Sequence, residues 1–420
     1  MLLGVGLLVG AAFAARLPAA TYTFTRIADT AGGVYTSFGD GPSISNSGAI
    51  AFQAGIASGA GIFRAEPGGG FTTIADTTDG FNGFGVRPSI DRLGDAVAFD
   101  ATTTSGAGAY RGSGGPLATI AAPPIFSAFV GSPVIQPGGS GQVVFVAFTT
   151  ADGAGIYRGD GTAPATLVAG AAHGLSEFGN NPGVNALGNL LFRADLEGVG
   201  SGVFIRSGAT TTPLALVGPT YSGFAGSMAL NDSGVAAFRA TYAGGSSQAI
   251  LTGVAGGVSV FADTTGAYLS FNVPSIDSRG RIIVRAALDA GGAILVRGPD
   301  PRVDSIIGVG DAVDGSTVID VTAHTGALND SGQAVFRATL ADGRAGIYRA
   351  DPAPCPADIV GASHRVDVND LLAVITTWGP CAGCPPHCPA DIAPIGPPQG
   401  DCQIDVNDLL AVITTWGPCP

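Results

Sequence analysis

The sequence predicts an all-β fold, a seven-bladed β-propeller, followed by a small helical C-terminal module. Three observations predict it: a repeat of about 47 residues that recurs seven times, a strand-like segment near the N-terminus that replaces an element missing from the last repeat, and a duplicated cysteine-rich segment at the end of the chain. We therefore expect a signal peptide at 1–20, a propeller at 22–352 and a tail module at 355–420.

Each repeat contains one core strand with an apolar residue at a fixed place and Ala two positions later. Successive apolar positions are separated by 46 or 47 residues, except for a last interval of 52. The apolar positions are Phe52, Phe99, Phe145, Phe192, Phe238, Val284 and Phe336. These strands are apolar on both faces, which is typical of a sheet packed between two neighbours.

An Asn or Asp stands two or three residues before a Gly ahead of most core strands. The pairs are Asn46 and Gly48, Asp91 and Gly94, Asn185 and Gly188, Asn231 and Gly234, Asp277 and Gly280, and Asn329 and Gly332. An Asx side chain that caps its own backbone, followed by Gly at positive φ, predicts a tight turn before each core strand.

The ring closure is predicted from a strand that the last repeat lacks. A third strand of the type FTTIAD follows six of the repeats, but the seventh runs from GIYR at 346–349 directly into the tail. The segment TFTRIAD at 23–29 has the missing pattern, so the N-terminal strand is expected to complete the last blade. A β-solenoid or paired sandwiches remain alternatives, although an open array would need polar capping repeats.

Composition and the N-terminus bound the partners and the location. All 19 basic residues are Arg, and 32 acidic residues give a net charge of -13, which disfavours a nucleic-acid partner. Residues 1–14 are apolar and end in Ala-Phe-Ala, as a secretory signal does. We expect a protein that is secreted, extracellular or on the cell surface, with no membrane span.

The tail contains the sequence DVNDLLAVITTWGPC twice, at 367–381 and 405–419, each copy preceded by CPADI. Each copy predicts an acidic loop that leads into an amphipathic helix. Carboxylates at loop spacing predict calcium as a cofactor. The candidate ligands are Asp358, Asp367 and Asp370 in the first copy and Asp391, Asp401, Asp405 and Asp408 in the second.

Two resemblances accompany these patterns. The N-x-x-G-x-x-A-F-x-A repeat resembles a tandem-repeat family of secreted bacterial proteins, often from planctomycetes, which implies the architecture and says little about function. The D-x-x-D-L-L segments of the tail resemble the duplicated repeat of type I dockerins. That resemblance implies calcium loops and attachment to a protein scaffold, but the first half of both loops departs from the dockerin pattern.

All six cysteines lie in the tail, and in an exported chain they are first interpreted as disulfides. Symmetry between the two copies suggests the pairs Cys355 with Cys381, Cys388 with Cys419, and Cys384 with Cys402. Six cysteines allow 15 connectivities, so this pairing is a guess. A zinc site at Cys381, Cys384, His387 and Cys388 is the alternative, since the spacing suits ligands.

Arginines form two rows in the repeats. Arg193, Arg239, Arg285 and Arg337 follow the core apolar residue in the last four units, and they are candidates for binding an anionic ligand or a glycan, or for pairing between blades. A second row ends the next strand: Arg64, Arg111, Arg158, Arg206, Arg297 and Arg349.

The function that these patterns favour is a non-catalytic binding and assembly protein. The propeller would present a ligand-binding surface, and the tail would attach it to a protein scaffold or a cell-surface component. A glycan-active enzyme and a structural envelope component are the alternatives, and no catalytic residue is assigned.

Overall fold

The structure is a computed structural model that describes residues 22–94, 96–302, 304–353, 355–360, 365–381, 388–393 and 401–419. The predicted signal peptide at 1–20 lies outside the described residues. Among the described residues, no helix is long and apolar enough to cross a membrane.

Seven antiparallel sheets form the predicted seven-bladed propeller. Each blade has four strands from the axis outward, and the innermost strand is usually split into two short segments. The inner strands are Tyr35–Phe38 with Ser43–Ile44, Gly83–Phe84 with Ser89–Ile90, Phe126–Ile135, Leu175–Ser176 with Gly183–Val184, Tyr221–Phe224 with Ala229–Leu230, Tyr268–Phe271 with Ser275–Ile276, and Ser316–Thr322, which pairs with Ala312–Val313.

The other three strands of each blade run from the core outward. The second strands are Ile50–Ile56, Val97–Thr103, Val143–Thr149, Leu190–Leu196, Ala236–Tyr242, Ile282–Leu288 and Ala334–Leu340. The third strands are Gly59–Ala65, Gly106–Gly112, Gly153–Gly159, Gly200–Ser207, Gln248–Val254, Ala293–Val296 and Ala345–Pro352. The outer strands are Phe71–Asp76, Ala118–Ala121, Thr166–Gly170, Thr210–Leu216, Gly257–Asp263 and Ser305–Gly308, with Tyr22–Asp29 in blade 7. Short 3-10 turns lie at Thr77–Asp79 and Ala171–His173.

The N-terminal strand closes the ring as predicted. Tyr22–Asp29 pairs antiparallel with Ala345–Pro352, so that Tyr22 lies opposite Pro352 and Asp29 opposite Gly346. Phe24 also packs edge-on against Phe336 at a ring distance of 6.1 Å. The first strand therefore contributes both backbone pairing and apolar contact to the last blade.

The repeated Phe and Ala form the core between blades. In five blades the motif phenylalanine packs on an aromatic ring of the third strand, for example Phe52 on Phe63 and Phe336 on Tyr348, both at 5.9 Å. The motif alanines Ala54 and Ala338 are fully buried. We attribute the small residue to close packing between blades, where an added methylene would strain the contact.

The motif Asn does more than cap its turn, and this second role was missed in the sequence. In Asn231 the side-chain oxygen accepts from the Val235 amide at 2.8 Å, as a local cap does. Its Nδ2 donates to the Asp277 carbonyl of the next blade at 3.0 Å, and Asn185 donates in the same way to the Asn231 carbonyl at 3.2 Å. Asn329 donates to the Ser45 carbonyl at 2.9 Å, which extends this ladder across the seam between blades 7 and 1.

The tail contains two helices, α1 at Val368–Thr376 and α2 at Val406–Thr414. Short strands join the copies crosswise: Arg365–Val366 pairs with Gly417–Pro418, and Gly379–Pro380 pairs with Gln403–Ile404. The end of each copy therefore lies beside the loop of the other.

This crosswise arrangement corrects the disulfide pairing that symmetry suggested. Cys355 pairs with Cys419 and Cys381 with Cys388, instead of each copy being closed on itself. The physical reason is that the strand just before Cys419 lies against the first copy. The zinc alternative is also wrong, because Cys381 and Cys388 are bonded to each other. Cys402 is disulfide-bonded as well, while the predicted partner Cys384 and His387 lie outside the described residues.

Candidate functional site

The propeller axis contains a small cavity lined by the inner strands of all seven blades. Its volume is about 110 Å³, and its walls include Arg87 and His324 toward one end and Asn46 and Arg92 toward the other. This is smaller than the pockets of roughly 300 Å³ or more that usually enclose drug-sized ligands. The cavity suits one small polar group rather than a whole sugar or peptide.

Arg92 lies at one end of the cavity, the end that is formed by the Asx turns. Its guanidinium donates from blade 2 to Asp330 of blade 7 at 2.6 Å and lies 3.8 Å from Asp232 of blade 5. Burial by itself would raise the pKa of Asp330, but hydrogen bonds from Ser278 and from Arg92 lower it to about 2. Asp330 therefore stays ionised and holds Arg92 across the axis.

A second charged group lies toward the other end of the cavity. Arg87 of blade 2 forms a two-pronged pair with Asp40 of blade 1, with hydrogen bonds of 3.1 and 3.0 Å. His324 is buried, and its Nδ1 lies 3.1 Å from the Thr325 hydroxyl. Burial and the nearby charge of Arg87 lower the pKa of His324 to about 4, although the charge of Asp40 acts in the opposite direction. The imidazole is therefore neutral at physiological pH.

Asp100 lies close to this group, between blades 2 and 3. Burial raises its pKa, while a hydrogen bond with Ser132 and the charge of Arg87 act in the opposite direction. Its Oδ1 is buried and has no hydrogen-bond partner among the described residues. Asp100 and Asp40 are thus two carboxyl groups in contrasting environments beside one arginine, a pattern found at acid–base sites and also in structural networks.

The predicted anion-binding row does not converge on one point. Arg239 donates to the Phe271 carbonyl at 2.6 Å, and Arg285 donates to the Val321 carbonyl at 3.0 Å, both in the following blade. Arg337 has one long contact of 3.4 Å to Thr339, and its Nε is buried without a partner in the part of the chain that the structure describes. Two of the four guanidinium groups are therefore used between blades.

Two arginines of the second row also join neighbouring blades. Arg111 donates to the Gly141 carbonyl at 2.7 Å, and Arg158 donates to the Gly188 carbonyl at 2.6 Å. Arg64 instead pairs with Glu66 within its own blade at 2.9 Å, and Arg349 pairs with Asp351 at 2.8 Å. Arg206 donates to the Thr211 hydroxyl.

In the tail, the carboxylates predicted to bind calcium accept backbone hydrogen bonds. Asp408 accepts from the amides of Ile392, Ala393 and Asp405 at 2.7 to 2.8 Å, and it is 1 % exposed. Asp370 makes the equivalent bonds in the first copy, from Ile359, Val360 and Asp367. These two aspartates fasten each loop to the start of its helix.

The remaining carboxylates have related roles. Asp391 accepts from the amides of Asp401 and Cys402 at 3.0 and 2.7 Å, and Asp401 accepts from the Gln403 amide. The side chains of Asp367 and Asp405 cap helices α1 and α2. Asp358 has partners as well.

The described residues do not assemble a calcium donor set. Within the described ranges, no three His, Cys, Asp or Glu side chains converge in a way that would hold a metal ion. Calcium prefers six to eight oxygen ligands, whereas Asp370 and Asp408 already accept three amide bonds each. The calcium site stays a prediction from the sequence.

The tail exposes a duplicated apolar surface that the sequence indicated only as helix amphipathicity. Eight large apolar side chains, four from each copy, are 50 to 53 % exposed. They are Val368, Leu372, Ile375, Trp378, Val406, Leu410, Ile413 and Trp416. Because three of them on each helix have the spacing i, i+4, i+7, they share one helix face, while Val374 and Val412 are buried in the tail core. We call these eight residues the tail surface.

Comparisons with known proteins give the fold and little else. No protein-family model matches the sequence, and no curated protein matches it. Among solved structures, an oligogalacturonate lyase in complex with manganese has a TM-score of 0.51 and 10 % identity, over 80 % of this chain and 98 % of that chain. A mitotic checkpoint complex matches with a TM-score of 0.46 and 12 % identity, over 83 % of this chain and 99 % of that chain. YCF48 bound to D1 peptide matches with a TM-score of 0.42 and 12 % identity, over 80 % of this chain and 98 % of that chain. At 10 % identity, the likeness to the lyase shows the propeller fold alone.

Proposed function

We propose that this protein is a non-catalytic binding and assembly protein outside the cell or at its surface. The propeller provides a rigid binding surface, and the tail is the attachment module. The observation that supports this proposal most strongly is the tail surface, in which each of two copies exposes the same four large apolar side chains to the same extent.

The tail surface is costly for a protein that stays alone in water. Aromatic and aliphatic side chains of this size each contribute about 1.5 to 3 kcal/mol when they are fully buried, and clusters of exposed ones mark protein interaction sites. Trp378 and Trp416 are residues of the type that dominates binding energy at interfaces. The partner that fits is a protein with a complementary apolar patch, such as a scaffold or a cell-surface component.

Location and ligand are narrower parts of the same proposal. Disulfides between Cys355 and Cys419 and between Cys381 and Cys388 are compatible with export, which the N-terminal sequence also predicts.

For the propeller we propose an anionic or glycan ligand, supported by Arg193, whose guanidinium has no hydrogen bond with the described residues, and by Arg337. Calcium-dependent attachment rests on the sequence resemblance to dockerin repeats.

The attachment proposal is tested by changing the tail surface and following the protein in the cells that produce it. In the double variant Leu372→Ser and Leu410→Ser, we expect the share retained on the cell envelope to fall and the share in the medium to rise. Leu187→Ser is the matched control, because Leu187 is 77 % exposed but lies on the propeller. Equal retention of both variants would overturn attachment through the tail surface. Retention that survives loss of the whole tail would favour the structural envelope component.

A glycan-active enzyme is the alternative from a different class, and Asp100 is the observation that favours it. Burial raises the pKa of Asp100, which lies beside the Arg87–Asp40 pair, so this carboxyl takes up a proton more readily than a solvent-exposed aspartate does. The fold likeness to the oligogalacturonate lyase is compatible with this alternative without selecting a substrate. Product release from a panel of polysaccharides, abolished in Asp100→Asn but not in the double tail-surface variant, would establish the enzyme.

A further inference from the structure

Arg297 of blade 6 has a different partner from the two arginines of its row that contact the next blade. In blades 2 and 3 the equivalent arginines, Arg111 and Arg158, donate to a glycine carbonyl in the Asx turn of the next blade. The guanidinium of Arg297 instead donates to the carbonyl oxygen of Cys419, at the end of the tail. An arginine that repeats elsewhere as a contact between blades therefore reaches the tail in this blade.

A second arginine explains why Arg297 is free to do so. Arg281 precedes the second strand of blade 6 and pairs with Asp277 at 2.6 Å. Its Nη2 also donates to the Asp330 carbonyl, in the Asx turn of blade 7, at 2.8 Å. Arg281 thus makes the contact between blades 6 and 7 that Arg297 would make by analogy with Arg111 and Arg158.

Both ends of the tail lie beside the seam between blades 6 and 7. The third strand of blade 7 ends at Pro352, and Cys355 follows three residues later. Cys355 is bonded to Cys419 with a Cα–Cα distance of 5.7 Å, and Cys419 is 1 % exposed. The chain therefore enters and leaves the tail at one place, beside the strand that closes the ring.

The surroundings of Arg297 tie this contact to the ring closure. Tyr22, the residue opposite Pro352 in the closing strand, also hydrogen-bonds to Arg297. A cavity of about 300 Å³ bordered by Tyr22, Arg297 and Pro352 remains at the seam. Arg281 and Asp304 also border this cavity, and Arg297 is the residue of its wall that donates a hydrogen bond to the tail.

We propose that the seam between blades 6 and 7 is a docking surface for the protein's own tail, with Arg297 as the positioning residue, so that the tail is clamped to the propeller instead of swinging on a linker. The disulfide between Cys355 and Cys419 joins the entry and the exit of the tail, and Arg297 fixes the joined ends to the propeller. The tail surface is then held at a constant orientation to the propeller axis.

The two tryptophans make this clamp measurable in the full chain. Both Trp378 and Trp416 belong to the tail, so tryptophan emission reports on the tail alone. Time-resolved fluorescence anisotropy of the wild-type chain is expected to decay with the slow tumbling of the whole protein. The tail at 355–420 has 66 of the 420 residues, so in Arg297→Ala we expect an additional component about 420/66, or roughly sixfold, faster.

Two controls keep the test decisive. Arg158→Ala removes an arginine of the same row that contacts Gly188 and not the tail, so it is expected to keep the wild-type decay. Arg297→Lys retains a charged donor of similar reach for the Cys419 carbonyl and is expected to restore most of the slow component, which separates the clamp from a general loss of folding. A fast component in the wild type equal to that of Arg297→Ala, or the same change in Arg158→Ala, would overturn the proposal.

Discussion

The ladder of motif asparagines predicts that a single amide holds neighbouring blades together, and Asn231→Ala tests it. This change removes the acceptor for the Val235 amide at 2.8 Å and the donor to the Asp277 carbonyl at 3.0 Å. Asn231 is 1 % exposed, so water does not replace these partners in the folded state. An unsatisfied buried group costs about 1 to 3 kcal/mol, and two of them predict a loss of about 2 to 6 kcal/mol in the free energy of unfolding.

The chain offers its own matched control for this variant. Blade 1 has Ser45 at the equivalent position, and the Ser45 hydroxyl accepts from the Ala49 amide at 3.1 Å without reaching the next blade. Asn231→Ser should therefore keep the turn cap, lose only the bond between blades, and destabilise by about half as much. Equilibrium unfolding in urea, followed by far-UV circular dichroism, gives both values. A loss below about 0.5 kcal/mol for Asn231→Ala, within the range of ordinary surface changes, would refute the role of the ladder.

Three further predictions follow from the axis and the tail. Hydrogen bonds hold the pKa of Asp330 at about 2, below the ordinary aspartate value of 3.8, so its stabilising effect is present above about pH 4 and is lost as the pH falls toward 2. Arg92→Ala should raise the pKa of Asp330, so the urea midpoint should fall less between neutral pH and about pH 3 than it does in the wild type. The same pH dependence of the urea midpoint in both proteins would count against the pair of Arg92 and Asp330 across the axis. Asp408→Ala leaves three backbone amides without an acceptor and should destabilise the tail by about 3 kcal/mol or more, seen as an earlier change in tryptophan emission on urea titration. The calcium hypothesis predicts a heat of binding to the full chain that Asp401→Asn abolishes, and silence at millimolar calcium would leave these carboxylates with backbone roles alone.

The architecture was predictable because its determinants repeat. The Phe and Ala of the core strand, seen seven times, indicate the blade, and the displaced TFTRIAD segment indicates the closure that Tyr22–Asp29 makes. The turn role of Asn231 was also predictable, because a cap involves only nearby residues. Its second bond, to Asp277 of the next blade, was not, because spacing along the chain gives no direction for the amide.

The features that the sequence did not predict are those in which one copy differs from the others. Arg92 and Asp330 occupy equivalent places in different repeats, so a comparison of repeats treats them as variation and hides their contact. Arg297 looks like a member of its row until the contact with Cys419 is seen. In the tail, the exact duplication suggested two self-contained copies, whereas the cross-pairing of Arg365–Val366 with Gly417–Pro418 joins them.

The pairing of the first strand with the last blade has a consequence for the order of folding. Tyr22 and Pro352 are 330 positions apart in the chain, and loop closure over that length costs about 5 kcal/mol on the logarithmic scale for flexible loops. During synthesis, blades 1 to 6 can form from local contacts, whereas the seventh stays three-stranded until the first segment returns to it. The N-terminal strand is therefore synthesised first but stays unpaired until Ala345–Pro352 has emerged, and it is the last strand of the ring to pair.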